Sequence, residues 1–112
     1  MIVWALNTSS ASSLLNSKDF ISKYKSSPNA ILIDVRTPAE FNSGHIPDAI
    51  NIDYENSNFK DEVKKLDPSK EYFVYCRSGN RSSKAIPIMN SVGINNTYDL
   101  SGGIAGSPEL LK

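Results

Sequence analysis

"YFVYCRSGNRSSKAIPIM", Tyr72–Met89, changes character twice within one short stretch. The apolar run at its start, Tyr72–Tyr75, is rich in aromatic and β-branched residues, and with Glu71 before it "EYFVYC", Glu71–Cys76, reads as a strand. Gly79 and Asn80 then supply a turn, and from Arg81 the spacing is that of a helix ending at Gly93. Strand, tight loop and helix in this order form the repeating unit of a parallel α/β sheet. Cys76, the one cysteine of the chain, stands at the carboxyl end of the strand. Open parallel sheets bind ligands outside that end.

Working outward from this unit, the rest of the chain also alternates short apolar runs with amphipathic stretches. Asn16, Ser17 and Asp19 are candidate caps for a helix over about Lys18 to Lys25, with Phe20, Ile21 and Tyr24 on one face. "AILID", Ala30–Asp34, is a continuous apolar run ending in a carboxylate and reads as a central strand. Thr37-Pro38 opens a short helix containing Glu40 and Phe41, and Gly44 ends it. A second short strand is expected around Ala49 to Ile52. A helix over Asn58 to Leu66 follows, capped by Asn56 or Ser57 and stopped at Asp67-Pro68. Pro87 should strain or kink the helix behind the cysteine loop. "NTYDL" is the last strand, and "SGGIAGSPELLK" a Gly-rich turn with a short terminal helix.

The 112 residues suit one domain, 1–112, with 1–15 a flexible or peripheral N-terminal segment. Apolar residues make up 39% and charged residues 21%, because Ser and Asn together supply 28 positions; the chain is still globular in composition. Twelve basic and twelve acidic side chains cancel, and no basic block exceeds Lys64-Lys65, so neither nucleic acid nor an anionic membrane is an expected partner. One cysteine excludes an internal disulfide, and with His45 the only histidine there is no zinc constellation. The apolar start "MIVWAL" is short for a secretory core and far short of a membrane span, which favours a cytoplasmic protein. A periplasmic one would follow if this start is the remnant of a longer precursor.

A lone cysteine at a strand end is by itself more often an inert small hydrophobe. The loop argues otherwise. Gly79 and Asn80 tolerate left-handed backbone, so successive amides can turn inward and form a nest for an anion. The following helix adds the positive end of its dipole, and Arg77 and Arg81 add formal charge. These features favour a nucleophilic thiolate and an anionic substrate.

"LIDVRTPAEFNSGHIPDAINI", followed some two dozen residues later by "YCRSGNRSSKAI" and then "TYDLSGGI", resembles the single-domain rhodanese family of sulfurtransferases, over about Ile31 to Ile104. The resemblance implies a doubly wound α/β domain on a mainly parallel five-stranded sheet, with helices on both faces. It implies that Cys76 is a persulfide-forming nucleophile, and that Cys76 to Arg81 form the active-site loop. The reaction implied is transfer of a sulfane sulfur from thiosulfate or a similar small anionic donor to cyanide or a thiol, with an acceptor protein also admitted and no cofactor or metal required. Arg77 and Arg81 would bind the donor's sulfonate, and Ser78, Gly79, Asn80 and Arg81 would supply inward amides. Asp34 and Arg36 would support the loop by pairing with each other or with backbone. His45 would pack and hydrogen-bond rather than act as a base, and Gly102-Gly103 would make a tight turn near the pocket. A monomer or weak dimer is expected.

The chain departs from the family in having no aromatic residue soon after Gly102-Gly103, so a more open pocket is expected. Two rivals share the fold. Phosphatases and arsenate reductases hold a larger oxyanion in a loop of Cys, five residues, then Arg, whereas four residues separate Cys76 from Arg81 here. A non-catalytic, regulatory binding module of the same fold is the other; such modules often lose the cysteine, which this chain keeps.

Overall fold

The apolar runs become the centre of the sheet because only a strand covered on both faces can bury consecutive side chains. The computed structural model of the protein describes residues 13–111. Its five strands are β1 (Ser13–Leu15), β2 (Ala30–Asp34), β3 (Ile50–Asn51), β4 (Glu71–Tyr75) and β5 (Thr97–Leu100). All pair in parallel, in the order β1-β5-β4-β2-β3. Helices α1 (Ser17–Ser26), α2 (Pro38–Asn42), α3 (Phe59–Lys64) and α4 (Asn80–Ser91) connect them, and 3-10 turns at Ile104–Gly106 and Pro108–Leu110 end the described chain.

Alternation along β2 and β4 divides the interior into two layers. Ile33, Val35, Tyr72 and Val74 meet Phe59 and Val63 of α3 and Ile86 and Met89 of α4. Leu32, Phe73 and Tyr75 face the other way, onto Phe20 of α1 and onto Ile46, Leu100 and Ile104. The sheet is thus covered on both sides, as expected for a doubly wound domain.

β1 is the strand that sequence reading does not find. Ser13 and Leu14 are exposed, Leu14 to 68%, and only Leu15 is partly buried. Its place is dictated by the free edge of β5, where Ser13, Leu14 and Leu15 pair with Tyr98, Asp99 and Leu100. The expected peripheral segment 1–15 therefore ends in an edge strand, and its residues 1–12 lie outside the described residues.

Helix starts follow local chemistry. Asn16 caps α1 by accepting the Asp19 amide at 2.8 Å. Thr37 and Glu40 form a reciprocal capping box on α2, with Pro38 at its first position. α3 is shorter than expected. Asn56 accepts the Asn58 amide at 2.8 Å, one step outside the helix, instead of capping it from within. α4 runs unbroken through Pro87. That residue and Ser83, whose carbonyl its missing N–H would have bonded, both lie on the exposed face where water can take the carbonyl. The short terminal helix expected is a pair of 3-10 turns. Among the described residues no helix is long and apolar enough to cross a membrane, and no three metal-ligating side chains cluster.

Candidate active site

The winding reverses between β2 and β4. From β2 the chain moves outward to β3, then returns to the other side of β2 as β4 and continues to β5. α2 and α4 leave the carboxyl ends of these neighbours toward opposite faces, opening a crevice where both strands stop.

At the end of β2 the polar groups bind one another. The Arg36 guanidinium grips the Asp34 carboxylate, with Nε 3.0 Å from both oxygens and Nη2 2.7 Å from Oδ2. The Arg36 amide donates to Oδ1 at 2.9 Å, and Nη2 also donates to the Gly44 carbonyl at 2.7 Å. Asn51 of β3 donates to the carbonyls of Asp34 and Arg36. Asp34 and Arg36 thus pair as expected, and both are buried. His45 also behaves as a packing residue: its ring stacks on Phe41, and Nδ1 lies 2.9 Å from the Phe41 carbonyl. A carbonyl only accepts, so Nδ1 carries the proton.

The end of β4 is built differently. Cys76 is 1% exposed, at the bottom of the loop. Gly79, at φ +98, turns the chain into α4, so that the amides of Gly79 and Ser82 point at Sγ from 3.1 and 3.3 Å. The Ser82 hydroxyl oxygen is 3.5 Å from the same sulfur. α4 has no side-chain cap, and Ser82 is its third residue. The sulfur occupies the acceptor's place of an N-cap, receiving an otherwise orphaned amide at the positive end of the helix.

The loop is held from behind by the segment after β5. Ile104 and Ala105 donate their amides to the carbonyls of Cys76 and Arg77 at 3.1 and 2.8 Å, which draws those carbonyls away from the cup. Gly103 makes this approach possible: a Cβ there would overlap the Arg77 carbonyl. The paired glycines therefore do shape a tight turn beside the loop.

The two arginines part company. Arg77 is exposed and makes no ion pair among the described residues, whereas Arg81 is held bidentately by Glu40, at 2.7 and 3.1 Å, with Glu55 at 3.6 Å. The hydrogen bonds from Arg81, joined by those of Thr37, lower the Glu40 carboxyl to about 2. Arg81 thereby ties α2 to the start of α4 and braces the cup. Of the amides expected to face inward, that of Gly79 reaches the sulfur. Those of Ser78, Asn80 and Arg81 make no bond to it, and the second donor is Ser82. Sequence reading missed Ser82 and Glu40; the helix start and the Thr37–Glu40 capping spacing were the available signals.

A cavity of about 450 Å³ adjoins the loop, lined by Arg77 and Glu40 together with Ile104, Ala105, Pro108 and Leu111. It lies where the chain continues past the paired glycines with small and aliphatic residues.

Residues 17–107 match the rhodanese-like domain family. A thiosulfate sulfurtransferase of Pseudomonas syringae is 36% identical over 74 residues, 66% of this chain and 68% of that protein. A thiosulfate:glutathione sulfurtransferase of Saccharomyces cerevisiae is 36% identical over 84 residues, 65% of this chain and 60% of that protein. The crystal structure of a rhodanese-related protein of Thermoplasma volcanium superposes with a TM-score of 0.72 at 34% identity, covering 85% of this chain and 89% of that one. Family match, sequence identity and fold agree, and the chain belongs to the rhodanese-like domain family.

Proposed function

We propose that the protein is a rhodanese-type sulfurtransferase that carries a sulfane sulfur on Cys76, from thiosulfate or a similar donor to cyanide or a thiol. The observation that carries this reading is the Cys76 sulfur receiving the Gly79 and Ser82 amides at the start of α4. Two donors and a helix dipole converging on one sulfur stabilise negative charge there, and a thiolate is the form that attacks.

The cycle has two displacements. The Cys76 thiolate attacks the outer sulfur of thiosulfate; the new S–S bond forms as the old one breaks, and sulfite leaves with the electron pair. The outer sulfur of the Cys76 persulfide then carries the charge. A cyanide or thiolate acceptor attacks that sulfur, and Cys76 leaves as the thiolate with which the cycle began. Neither step requires a cofactor. Arg77, exposed and without an ion-pair partner among the described residues, is assigned to the donor's sulfonate. Arg81 is assigned second, because it must loosen from Glu40 to reach the donor. Ser78 and Asn80, exposed at the rim, contribute backbone around the incoming group. A reactive thiol with no second cysteine suits a reducing compartment, so the working enzyme is placed in the cytoplasm.

Intact mass after incubation with thiosulfate tests the reading. A gain of about 32 Da, one sulfur atom, that cyanide removes and that Cys76→Ser lacks is expected. A folded protein with a free thiol and no cyanide-labile adduct from any sulfane donor would overturn it.

A further inference from the structure

Behind the cysteine loop lies a polar group that the sulfur-transfer cycle above does not use. Asp99 of β5, 6% exposed, pairs in register with Val74 of β4 and Leu14 of β1. Its Oδ1 is the one buried side-chain oxygen or nitrogen without a hydrogen-bond partner among the described residues. A buried carboxylate oxygen without a partner is costly, and a small domain keeps one only if the group is protonated or employed. Among the described residues its surroundings offer no countercharge: Val74, Leu14 and Ser13 face it from the strands, and Ser82, Ser83, Ile86 and Asn90 from α4.

Ser82 connects this carboxyl to the sulfur. Its oxygen lies 3.5 Å from Cys76 Sγ, positioned to accept the thiol proton, while its own hydroxyl donates to the Gly79 carbonyl at 3.3 Å. The same side chain acts on Asp99: burial raises that carboxyl above the ordinary carboxylate range, and Ser82 is the neighbour that pulls it back. A hydroxyl is a rotor, so turning it from the Gly79 carbonyl toward Asp99 completes a path from sulfur to carboxylate.

We propose that Asp99 is the proton acceptor behind Cys76, taking the thiol proton through the Ser82 hydroxyl and keeping it as a neutral acid throughout sulfur transfer. In the step, the S–H bond breaks and a bond to Ser82 Oγ forms, while the former Ser82 proton passes to Asp99. Thiol and carboxylate become thiolate and carboxylic acid, with one negative charge before and after. Transfer of that charge to the sulfur brings it beneath the Gly79 and Ser82 amides, where donors are in place, and removes it from Oδ1, where there are none. Since each half of the cycle begins and ends with anionic sulfur, the proton is neither consumed nor released during turnover. Asp99 is therefore a positioning residue, acting through Ser82 without touching substrate.

The inference rests on Cys76 being the nucleophile, and its test uses no sulfur donor, so failure of sulfur transfer and failure of the relay are separate results. Alkylation of Cys76 by iodoacetamide is followed against pH in the wild type, Asp99→Asn, Ser82→Ala and the double variant. Asp99→Asn should slow alkylation near neutrality by about tenfold and displace its pH profile upward, while in the Ser82→Ala background it should add less than about twofold. Infrared difference spectra should show a protonated-carboxyl band at neutral pH that Asp99→Asn removes and Cys76→Ser weakens. An unchanged pH profile in Asp99→Asn, additive effects in the double variant, or a band of full strength in Cys76→Ser would overturn the proposal. The last result would mean that burial alone protonates Asp99.

Discussion

The ends of β2 and β4 lie side by side in the sheet, with Asp34 paired to Tyr75, yet they use polar groups in opposite ways. At the end of β2 the carboxylate, the guanidinium and the neighbouring carbonyls satisfy one another within a closed, buried set. Among the described residues, at the end of β4 a sulfur stands where a helix cap would, an arginine points to solvent unpaired, and a carboxyl oxygen behind them has no partner. One end spends its hydrogen-bonding capacity on structure. The other withholds it, and the groups left unspent are the ones available for a reaction. Changes at the first end should therefore be read in stability, and changes at the second in chemistry.

The largest expected effect breaks the closed end. Asp34→Ala would leave the Arg36 guanidinium buried without its carboxylate, at a cost of about 3–5 kcal/mol in urea unfolding. At a pH and temperature where the variant stays folded, alkylation of Cys76 should change by less than about twofold. A large fall in alkylation there would mean that the two strand ends are one functional unit.

Next in size is the turn that joins β5 to the loop. Gly102 and Gly103 both have positive φ, at 76° and 60°, but a Cβ on Gly102 meets nothing within 4 Å while one on Gly103 runs into the Arg77 backbone. Gly102→Ala should therefore cost only backbone strain, about 1 kcal/mol, with persulfide formation retained. Gly103→Ala should cost about 2–3 kcal/mol and also displace the cup, reducing the rate of persulfide formation. Equal behaviour of the two variants would show that the close approach at Gly103 does not hold the loop.

The difference between these ends was only partly legible in the sequence. β2 and β4 announce themselves because consecutive apolar residues need cover on both sides, and Cys76 with its Gly-containing loop stands out by residue type. β1 does not, because a three-residue edge strand, exposed at two of its positions, owes its conformation to a partner more than eighty positions away. Ser82 was hidden for another reason: its amide is backbone, which any residue type supplies, and only the turn of the helix aims it at the sulfur. The Glu40–Arg81 pair spans 41 positions. Local spacing placed Glu40 within the short helix that Thr37-Pro38 opens, and the resemblance assigned Arg81 to the substrate, since nothing along the chain states that the two meet.

Arg77 and Arg81 sharpen the comparison at smaller scale. Arg77→Ala should raise the KM for thiosulfate about tenfold, equivalent to about 1.4 kcal/mol, and leave alkylation by uncharged iodoacetamide nearly unchanged. Equal losses with both reagents would move Arg77 from donor binding to loop structure.

The smallest effect concerns the Glu40–Arg81 ion pair, which crosses from the closed side to the reactive side. Glu40→Gln keeps an oxygen for the capping box of α2 but removes the charge that holds Arg81. Because the Glu40 side chain is 29% exposed, water screens the pair, and the expected cost at neutral pH is about 1 kcal/mol. The sign with pH follows from the lowered carboxyl. Glu40 titrates at about 2 in the folded protein against 4.5 ordinarily, so its stabilisation is fully present above the ordinary range and is lost as pH falls toward 2. Wild type and Glu40→Gln should therefore differ in urea midpoint at pH 7 and converge as the pH is lowered through that window, with a smaller difference at high salt. A gap that persists at the bottom of the window would mean that Glu40 holds α2 against α4 by packing and hydrogen bonding alone. Its charge, and with it the division between a bound Arg81 and a free Arg77, would then contribute nothing to how the cup is held.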